Sequence, residues 1–272
     1  MKGKSEERPW DQIDVVHVAV APPKTLGGDL LQRVASLIGK EIVDTRLLLA
    51  GEIPRIIASC AGTDTAGSIA QSLKDAGLVA FACRDSELRN RPISFKARTM
   101  RFLEREVIFG DGRGGEVRVE AGDAFLIIRG RIQSATQEKT STTKMKLNVA
   151  ATVLTGGFPI MRRVTQKSTT GSFRVEDFVR IFDRRSSDPR VEISQNHIDY
   201  AFLGPELTPS SSANFHIVVA KLREWFPLAI FDERLTRRFT TDVPASGPVE
   251  ELDINCKLID LCHLAAERRG RS

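Results

Sequence analysis

The residues best suited to acid–base chemistry are the four histidines, His17, His197, His216 and His263. His197 and Asp199 are two positions apart, and a strand would place both on one face, as a general base and its carboxylate. No nucleophile signature accompanies them, and the chain contains no G-x-S-x-G, H-E-x-x-H or G-x-x-x-x-G-K sequence. His17, in a predicted strand, and His216, in a predicted helix, have no motif neighbour. We therefore expect a protein that is not an enzyme.

Metal binding is considered for Cys256, Cys262 and His263, which lie close together in the sequence. Their spacing matches no zinc pattern, and a fourth ligand is missing. The remaining cysteines, Cys60 and Cys83, each close an apolar strand-like run, where a small buried side chain fits. We expect reduced thiols, no metal and no cofactor.

A glycine-rich loop, GDGRGG at 110–115, matches the G-x-G-x-x-G pattern of dinucleotide-binding proteins. That function needs a helix after the loop, because the phosphate binds at the helix N-terminus. Here EVRVEAG follows, which alternates like a strand, and Asp111-Gly112 is typical of a hairpin turn. The pattern predicts a β-hairpin.

Charge is unevenly distributed along the chain. Residues 93–203 hold 19 basic and 13 acidic side chains, whereas residues 1–92 hold 12 of each. Within residues 129–167, Glu138 is the only acidic residue, against eight basic ones: Arg129, Arg131, Lys139, Lys144, Lys146, Arg162, Arg163 and Lys167. A local field of this sign attracts phosphates or acidic proteins.

Fifteen residues without a formal charge, Leu147 to Met161, lie between two of these basic pairs. A turn at Gly156-Gly157 would fold them into a hairpin, because glycine tolerates the positive φ of tight turns. Residue i would then face residue 313 − i, so that Leu147 meets Gln166. Both faces of this hairpin would be apolar near the turn, with Val149, Ala151 and Val153 on one face and Ala150, Thr152 and Leu154 on the other.

Such a hairpin needs a cover, since an isolated two-stranded ribbon is marginally stable in water. The cover is the protein's own core, another protein chain, or a membrane interface whose anionic head groups attract the flanking cations. Two buried strands, or a short helix from Thr143 to Leu154, would use the same residues, and periodicity does not separate helix from strand here. The predicted contact residues are Lys144, Lys146, Leu147, Val149, Val153, Leu154, Phe158, Arg162, Arg163 and Lys167.

The first ninety residues show apolar periodicities in the order βααβαβ. This order, with LLQRVASLIGKEIVDTRLLLAG and AGSIAQSLKDAGLVAFAC, resembles the C-terminal domain of the bacterial ribosomal stalk protein over about residues 15–84. In that family a glycine-flanked loop and lysines of the adjacent helix contact translation factors. Here Lys40 occupies the loop, but Asp44, Thr45 and Arg46 stand where the lysines are expected. The resemblance implies a docking or scaffold module.

The middle of the chain has the pattern of short strands rich in Val, Ile and Phe. A helix follows, which Ser211 or Ser212 can cap and which Pro227 ends. Several antiparallel strands closed by one amphipathic helix resemble the bacterial form of the pleckstrin-homology superfold. This likeness implies a module that binds lipid head groups, peptides or other domains. The helix has one apolar stripe, formed by Phe215, Val218, Val219, Leu222, Trp225 and Phe226.

The predicted class is α+β, with a βααβαβ domain followed by an antiparallel, pleckstrin-homology-like β domain. The expected segments are a polar tail (1–13), the stalk-like domain (14–89), the β domain (93–239) with a basic and apolar insertion (139–167), and a linker with a C-terminal helix (240–272). That helix should dock on its own protein or on a partner.

The first residues lack the apolar segment of a secretion signal, so we expect a cytoplasmic protein, either free or peripheral at the inner membrane face. The leading function is a binding or scaffold protein that contacts a protein partner, or another copy of itself, through residues 139–167. An anionic membrane surface is the first alternative. A ribosome- or RNA-associated role is the second, and the scarcity of aromatic residues for base stacking makes nucleic acid the less favoured partner.

Overall fold

A computed structural model describes residues 14–90, 94–147, 161–184, 188–237 and 249–270, with only the backbone described for 133–174 and 249–250. The protein is of the α+β class. Residues 1–131 and 177–272 belong to one compact unit, and residues 132–176 form a second.

The N-terminal part of the first unit has the predicted order βααβαβ. It comprises β1 (Val16–Val20), α1 (Gly28–Ile38), α2 (Ile42–Leu48), β2 (Arg55–Cys60), α3 (Thr63–Asp75) and β3 (Ala80–Arg84), and the short helix α4 (Asp85–Arg89) follows. The strands form an antiparallel sheet in the order β2-β1-β3. Gly39 ends α1 in the left-handed conformation, with φ of 65°, which a glycine adopts without a Cβ penalty.

This sheet has a core on each face. Alternate residues of β1 point to opposite sides. Val16, Val18 and Val20 pack with α1 and α3, whereas Ala19 packs with Phe81, Cys83 and the C-terminal helix.

The β part of the first unit begins with β4 (Phe95–Ala97), β5 (Thr99–Phe102), β6 (Glu106–Gly110) and β7 (Glu116–Glu120). Strands β5, β6 and β7 form an antiparallel sheet. The 110–115 loop is the predicted hairpin. The Asp111 carboxylate accepts hydrogen bonds from the backbone N–H groups of Arg113 and Gly115 at 2.7 and 2.9 Å, which fixes the turn.

A second sheet has the order β11-β8-β9-β10-β4. Its remaining strands are β8 (Leu126–Leu147), β9 (Met161–Phe182), β10 (Val191–Ser194) and β11 (Ile230–Leu235). The pairs β4–β10 and β8–β11 are parallel, so this sheet is mixed rather than purely antiparallel.

Strands β8 and β9 are antiparallel neighbours. The Phe125 N–H donates to the Phe182 carbonyl at 2.9 Å, and Gly130 lies against the Phe178 ring. Opposite positions therefore sum to about 307 at this end of the pair. The predicted sum of 313 applies to residues 140–173, near the turn, and stays a prediction.

Two helices complete the first unit. Helix α5 (Ser211–Trp225) is capped by Ser210, one residue before the predicted cap, whose hydroxyl accepts from the Ala213 N–H at 3.3 Å. Its buried side chains Phe215, Val218, Val219 and Leu222 join one core with both β sheets. Helix α6 (Val249–Gly270) packs on its own protein, where it buries Cys256, Leu258, Ile259 and Cys262.

Candidate binding segment and its anchor

The structure describes the backbone of six of the ten predicted contact residues. Lys144, Lys146 and Leu147 are in β8, and Arg162, Arg163 and Lys167 are in β9. Val149, Val153, Leu154 and Phe158 lie outside the described residues. Because residues 143–147 are strand, a helix beginning at Thr143 is wrong.

The second unit carries the whole net charge of the protein. Residues 132–176 hold seven basic and two acidic side chains, so their formal charge of +5 equals that of the full chain. The other 33 basic and 33 acidic side chains cancel. A long-range electrostatic attraction to a polyanion therefore originates in this segment.

Two of the eight basic residues counted in the sequence are not available to a partner, because they are paired within the first unit. Arg131 Nε donates to Asp177 Oδ1 at 2.5 Å, and an Arg129 guanidinium nitrogen donates to Asp177 Oδ2 at 2.9 Å. Arg129 and Arg131 lie at the end of the part of β8 that belongs to the first unit. Asp177 is the first residue of β9 that belongs to the same unit.

Arg129 is almost fully buried, with 8% of its surface exposed. Its guanidinium also contacts Glu233 of β11 at 3.3 Å and His216 Nδ1 of α5 at 3.2 Å. One side chain thus connects β8, β9, β11 and α5.

Burial by itself would raise the pKa of Asp177, but the hydrogen bonds from Arg131 and Arg129 outweigh it. The pKa of this carboxyl therefore lies below its usual value. The backbone is fixed as well, because the Asp177 N–H donates to Gln195 Oε1 at 3.1 Å and the Gln195 N–H donates to the Asp177 carbonyl at 2.9 Å. The two strands are held firmly at the point where they pass into the second unit.

The predicted His197–Asp199 pair does not form an acid–base site. Both residues are exposed in an irregular segment after β10, not in a strand. Asp199 Oδ1 accepts from the Ala201 N–H at 2.9 Å, which is a turn contact. The Tyr200 hydroxyl, which donates to the Gln195 carbonyl at 2.7 Å, closes the same segment.

Cys256, Cys262 and His263 have structural roles. His263 Nε2 is 2.8 Å from Asp232 Oδ2, and burial raises the pKa of Cys256 to about 11. Within the described ranges, no group of three or more metal-ligating side chains could hold an ion.

Comparison with known proteins gives no match to a protein family, to a characterised protein or to a solved structure. Among the helices that the structure describes, none is long and apolar enough to cross a bilayer.

A shallow cleft of about 200 Å³ is lined by Gly122, Asp123, Asp183, Arg184 and Arg190. Its two arginines already have partners. Arg184 contacts Glu267 at 3.3 Å and lies over the Phe125 ring, and Arg190 donates to the Arg118 carbonyl at 2.7 Å. The cleft is therefore a poor candidate for an anion site.

Proposed function

We propose that this is a cytoplasmic binding protein that recognises an acidic protein partner through residues 139–167. The observation that supports the proposal is the separation of charge, with +5 on residues 132–176 and zero on the rest of the chain. A neutral body with one basic segment has a single preferred site for an acidic surface.

Two kinds of contact would combine in this segment. Lys144, Lys146, Arg162 and Arg163 would steer association and make charge pairs at the rim. The uncharged run Leu147–Met161 would supply apolar area, which carries most of the affinity in protein interfaces. The Arg129–Asp177 network would support this role by fixing the two strands before they enter the segment, which lowers the entropy cost of binding.

An anionic membrane surface is a second candidate, favoured by the position of the cation pairs on either side of the uncharged run. Each lysine or arginine near a lipid surface contributes about 1 kcal/mol. The protein would then be peripheral at the inner membrane face. A ribosome- or RNA-associated role uses the same cations but has fewer aromatic residues for stacking.

The test compares two charge-reversal variants of the full-length protein. The segment variant replaces Lys144, Lys146, Arg162 and Arg163 by Glu. The control variant replaces four exposed cations of the first unit, Lys24, Arg33, Lys74 and Arg113, by Glu. Both variants lower the net charge equally, so that only the location of the charge differs.

Immobilised wild-type and variant proteins would capture partners from the source cells, and each captured protein would be purified and titrated against all three. We expect an acidic protein whose Kd rises at least tenfold with the segment variant, remains near the wild-type value with the control, and increases with salt. Equal Kd values for the two variants would overturn the proposal. Wild type and both variants would also be tested for co-sedimentation with anionic vesicles and for a gel shift with RNA. If only the segment variant loses one of these interactions, the partner is the membrane or the RNA and not an acidic protein.

A further inference from the structure

A hydrogen-bonded Ser–His–Asp chain lies on the small sheet, away from the proposed binding segment. Ser59 Oγ is 2.8 Å from His17 Nδ1, and His17 Nε2 is 2.8 Å from Asp85 Oδ1. One imidazole thus bridges a serine hydroxyl and a carboxylate, as in a Ser–His–Asp triad, with the two ring nitrogens exchanged, since Nδ1 and not Nε2 faces the serine.

The fold, and not a sequence motif, brings these residues together. His17 on β1 is directly opposite Ser59 on β2, and Asp85 comes immediately after β3. The Asp85 N–H donates to the Val15 carbonyl at 2.7 Å, which holds the carboxylate beside β1. Because His17 and Ser59 lie on two different strands and Asp85 begins α4, no local spacing predicted them.

The hydrogen-bond directions follow from the donor inventory. Asp85 is ionised, because its pKa is lowered chiefly by the hydrogen bond from His17, with a further contribution from Arg89. An ionised carboxylate only accepts, so His17 Nε2 is the donor in its contact with Asp85. In the neutral imidazole, which a general base requires, Nδ1 is then the acceptor for the Ser59 hydroxyl.

The nucleophile is open to solvent. Ser59 is exposed and lies on β2, an edge strand of the described sheet, whereas the side chains of His17 and Asp85 are 13% and 28% exposed. An accessible hydroxyl supported by a more buried base and carboxylate is the arrangement that acyl transfer needs.

We propose that Ser59 is a nucleophile toward small carboxylic esters with a good leaving group, with His17 as the general base and Asp85 as the residue that positions it. This activity is separate from the proposed binding function, so either proposal can fail without the other. The open site suits a small ester, because the edge of a sheet does not enclose a large substrate.

In the acylation step, Ser59 Oγ attacks the carbonyl carbon, its proton moves to His17 Nδ1, and the bond to the leaving oxygen breaks. With p-nitrophenyl acetate the leaving group departs as p-nitrophenolate, and His17 releases the proton to solvent. In deacylation, water attacks the acetyl carbon and gives a proton to His17 Nδ1. That proton returns to Ser59 Oγ as acetic acid leaves, and acetic acid then ionises to acetate in solvent.

The test is a burst assay with p-nitrophenyl acetate on the full-length protein, followed by peptide mass spectrometry to locate the acetyl group. We expect a burst of about one p-nitrophenolate per protein, with the acetyl group on Ser59. Ser59→Ala should abolish the burst. His17→Gln should slow it by about 100-fold or more, which is the usual contribution of a general base.

Ser86→Ala is the matched control, since Ser86 follows Asp85 directly and its hydroxyl contacts Asp14 rather than a histidine. This variant should keep the full burst. Asp85→Asn should slow acylation and Asp85→Glu should restore part of the rate, whereas a purely structural Asp85 would change the melting temperature instead. Absence of a Ser59 adduct in the folded wild type, or an adduct that forms equally fast in His17→Gln, would overturn the proposal.

Discussion

The guanidinium of Arg180 and the carboxylate of Asp253 lie 2.6 Å apart, and both side chains are buried. Arg180 is on β9 and Asp253 is on α6, so this pair joins the mixed sheet to the last helix. Arg180 also contacts Glu192 of β10 at 2.9 Å, and Lys96 of β4 holds the second Glu192 oxygen. A chain of alternating charges thus crosses three strands and one helix.

Replacing Arg180 by Met should lower the free energy of unfolding by roughly 3–5 kcal/mol, because two buried carboxylates lose their common partner. Denaturant unfolding measures the difference. Arg101→Met, which breaks an exposed pair with Glu116, is the control and should cost less than about 1 kcal/mol. Similar losses of unfolding free energy in the two variants would mean that the buried pair stabilises the fold no more than the exposed pair does.

Asp260 predicts an unusual dependence of stability on pH. It is fully buried on α6, and neither carboxylate oxygen has a hydrogen-bond partner among the described residues. Burial, with a smaller effect of the Asp183 charge, raises its pKa from 3.8 to about 7. Between these values the folded protein holds a proton that the unfolded chain has released. The free energy of unfolding should therefore fall as pH rises through this window, by up to roughly 4 kcal/mol.

Asp260→Asn removes this dependence, since the amide stays neutral at every pH. Near pH 4 the variant and the wild type should unfold at similar denaturant concentrations, and at pH 8 the variant should be the more stable. Unfolding curves at several pH values measure both. A stability difference that stays constant across this range would contradict the assignment.

Gly130 is predicted to tolerate no side chain. A Cβ at this position would clash with the Phe178 ring, 2.6 Å from Cε1 and closer still to Cζ, and would lie 2.9 Å from Leu235 Cβ. Gly130→Ala should cost about 1–3 kcal/mol through overpacking. Gly122→Ala is the matched control, because a Cβ there meets no atom within 4 Å. Thermal unfolding of both variants separates the steric effect from a general effect of replacing glycine.

Lys257 of α6 should stabilise α4 by direct hydrogen bonds, although the two helices are far apart in the sequence. Its buried ammonium donates to the carbonyls of Glu87 and Asn90 at 2.7 and 2.5 Å, which lie in the last turn of α4 and just after it. Lys257→Met leaves these acceptors without a donor, at a cost of about 1–3 kcal/mol. Hydrogen exchange should become faster in α4, whereas Lys74→Met, at an exposed position of α3, should leave the exchange in α4 unchanged. Unchanged exchange in the Lys257 variant would rule out this role.

The sequence predicts the elements of the small sheet well, because their caps and periodicities are local. Gly39 and Gly77 adopt positive φ at helix ends, and Val16, Val18 and Val20 alternate into the core. The mixed sheet was harder to predict, since parallel pairing of β4 with β10 depends on contacts between distant residues.

The candidate sites show the same limit. Positive charge at residues 139–167 is visible in the sequence, but the pairing of Arg129 and Arg131 with Asp177 is not. His197 and Asp199 do not share the face of a strand, because the chain turns after β10. Conversely, the Ser59–His17 contact depends on strand register, which no single segment specifies.

The two parallel strand pairs have a consequence for folding kinetics. Phe95 pairs with Val191, and Leu126 with Ile230, so each pairing joins positions about a hundred residues apart in the chain. Closing loops of this length before any stabilising contact forms is entropically costly, and such topologies fold slowly. Refolding should therefore proceed in at least two steps, with the β1–β3 sheet forming early and the five-stranded sheet becoming protected from hydrogen exchange last.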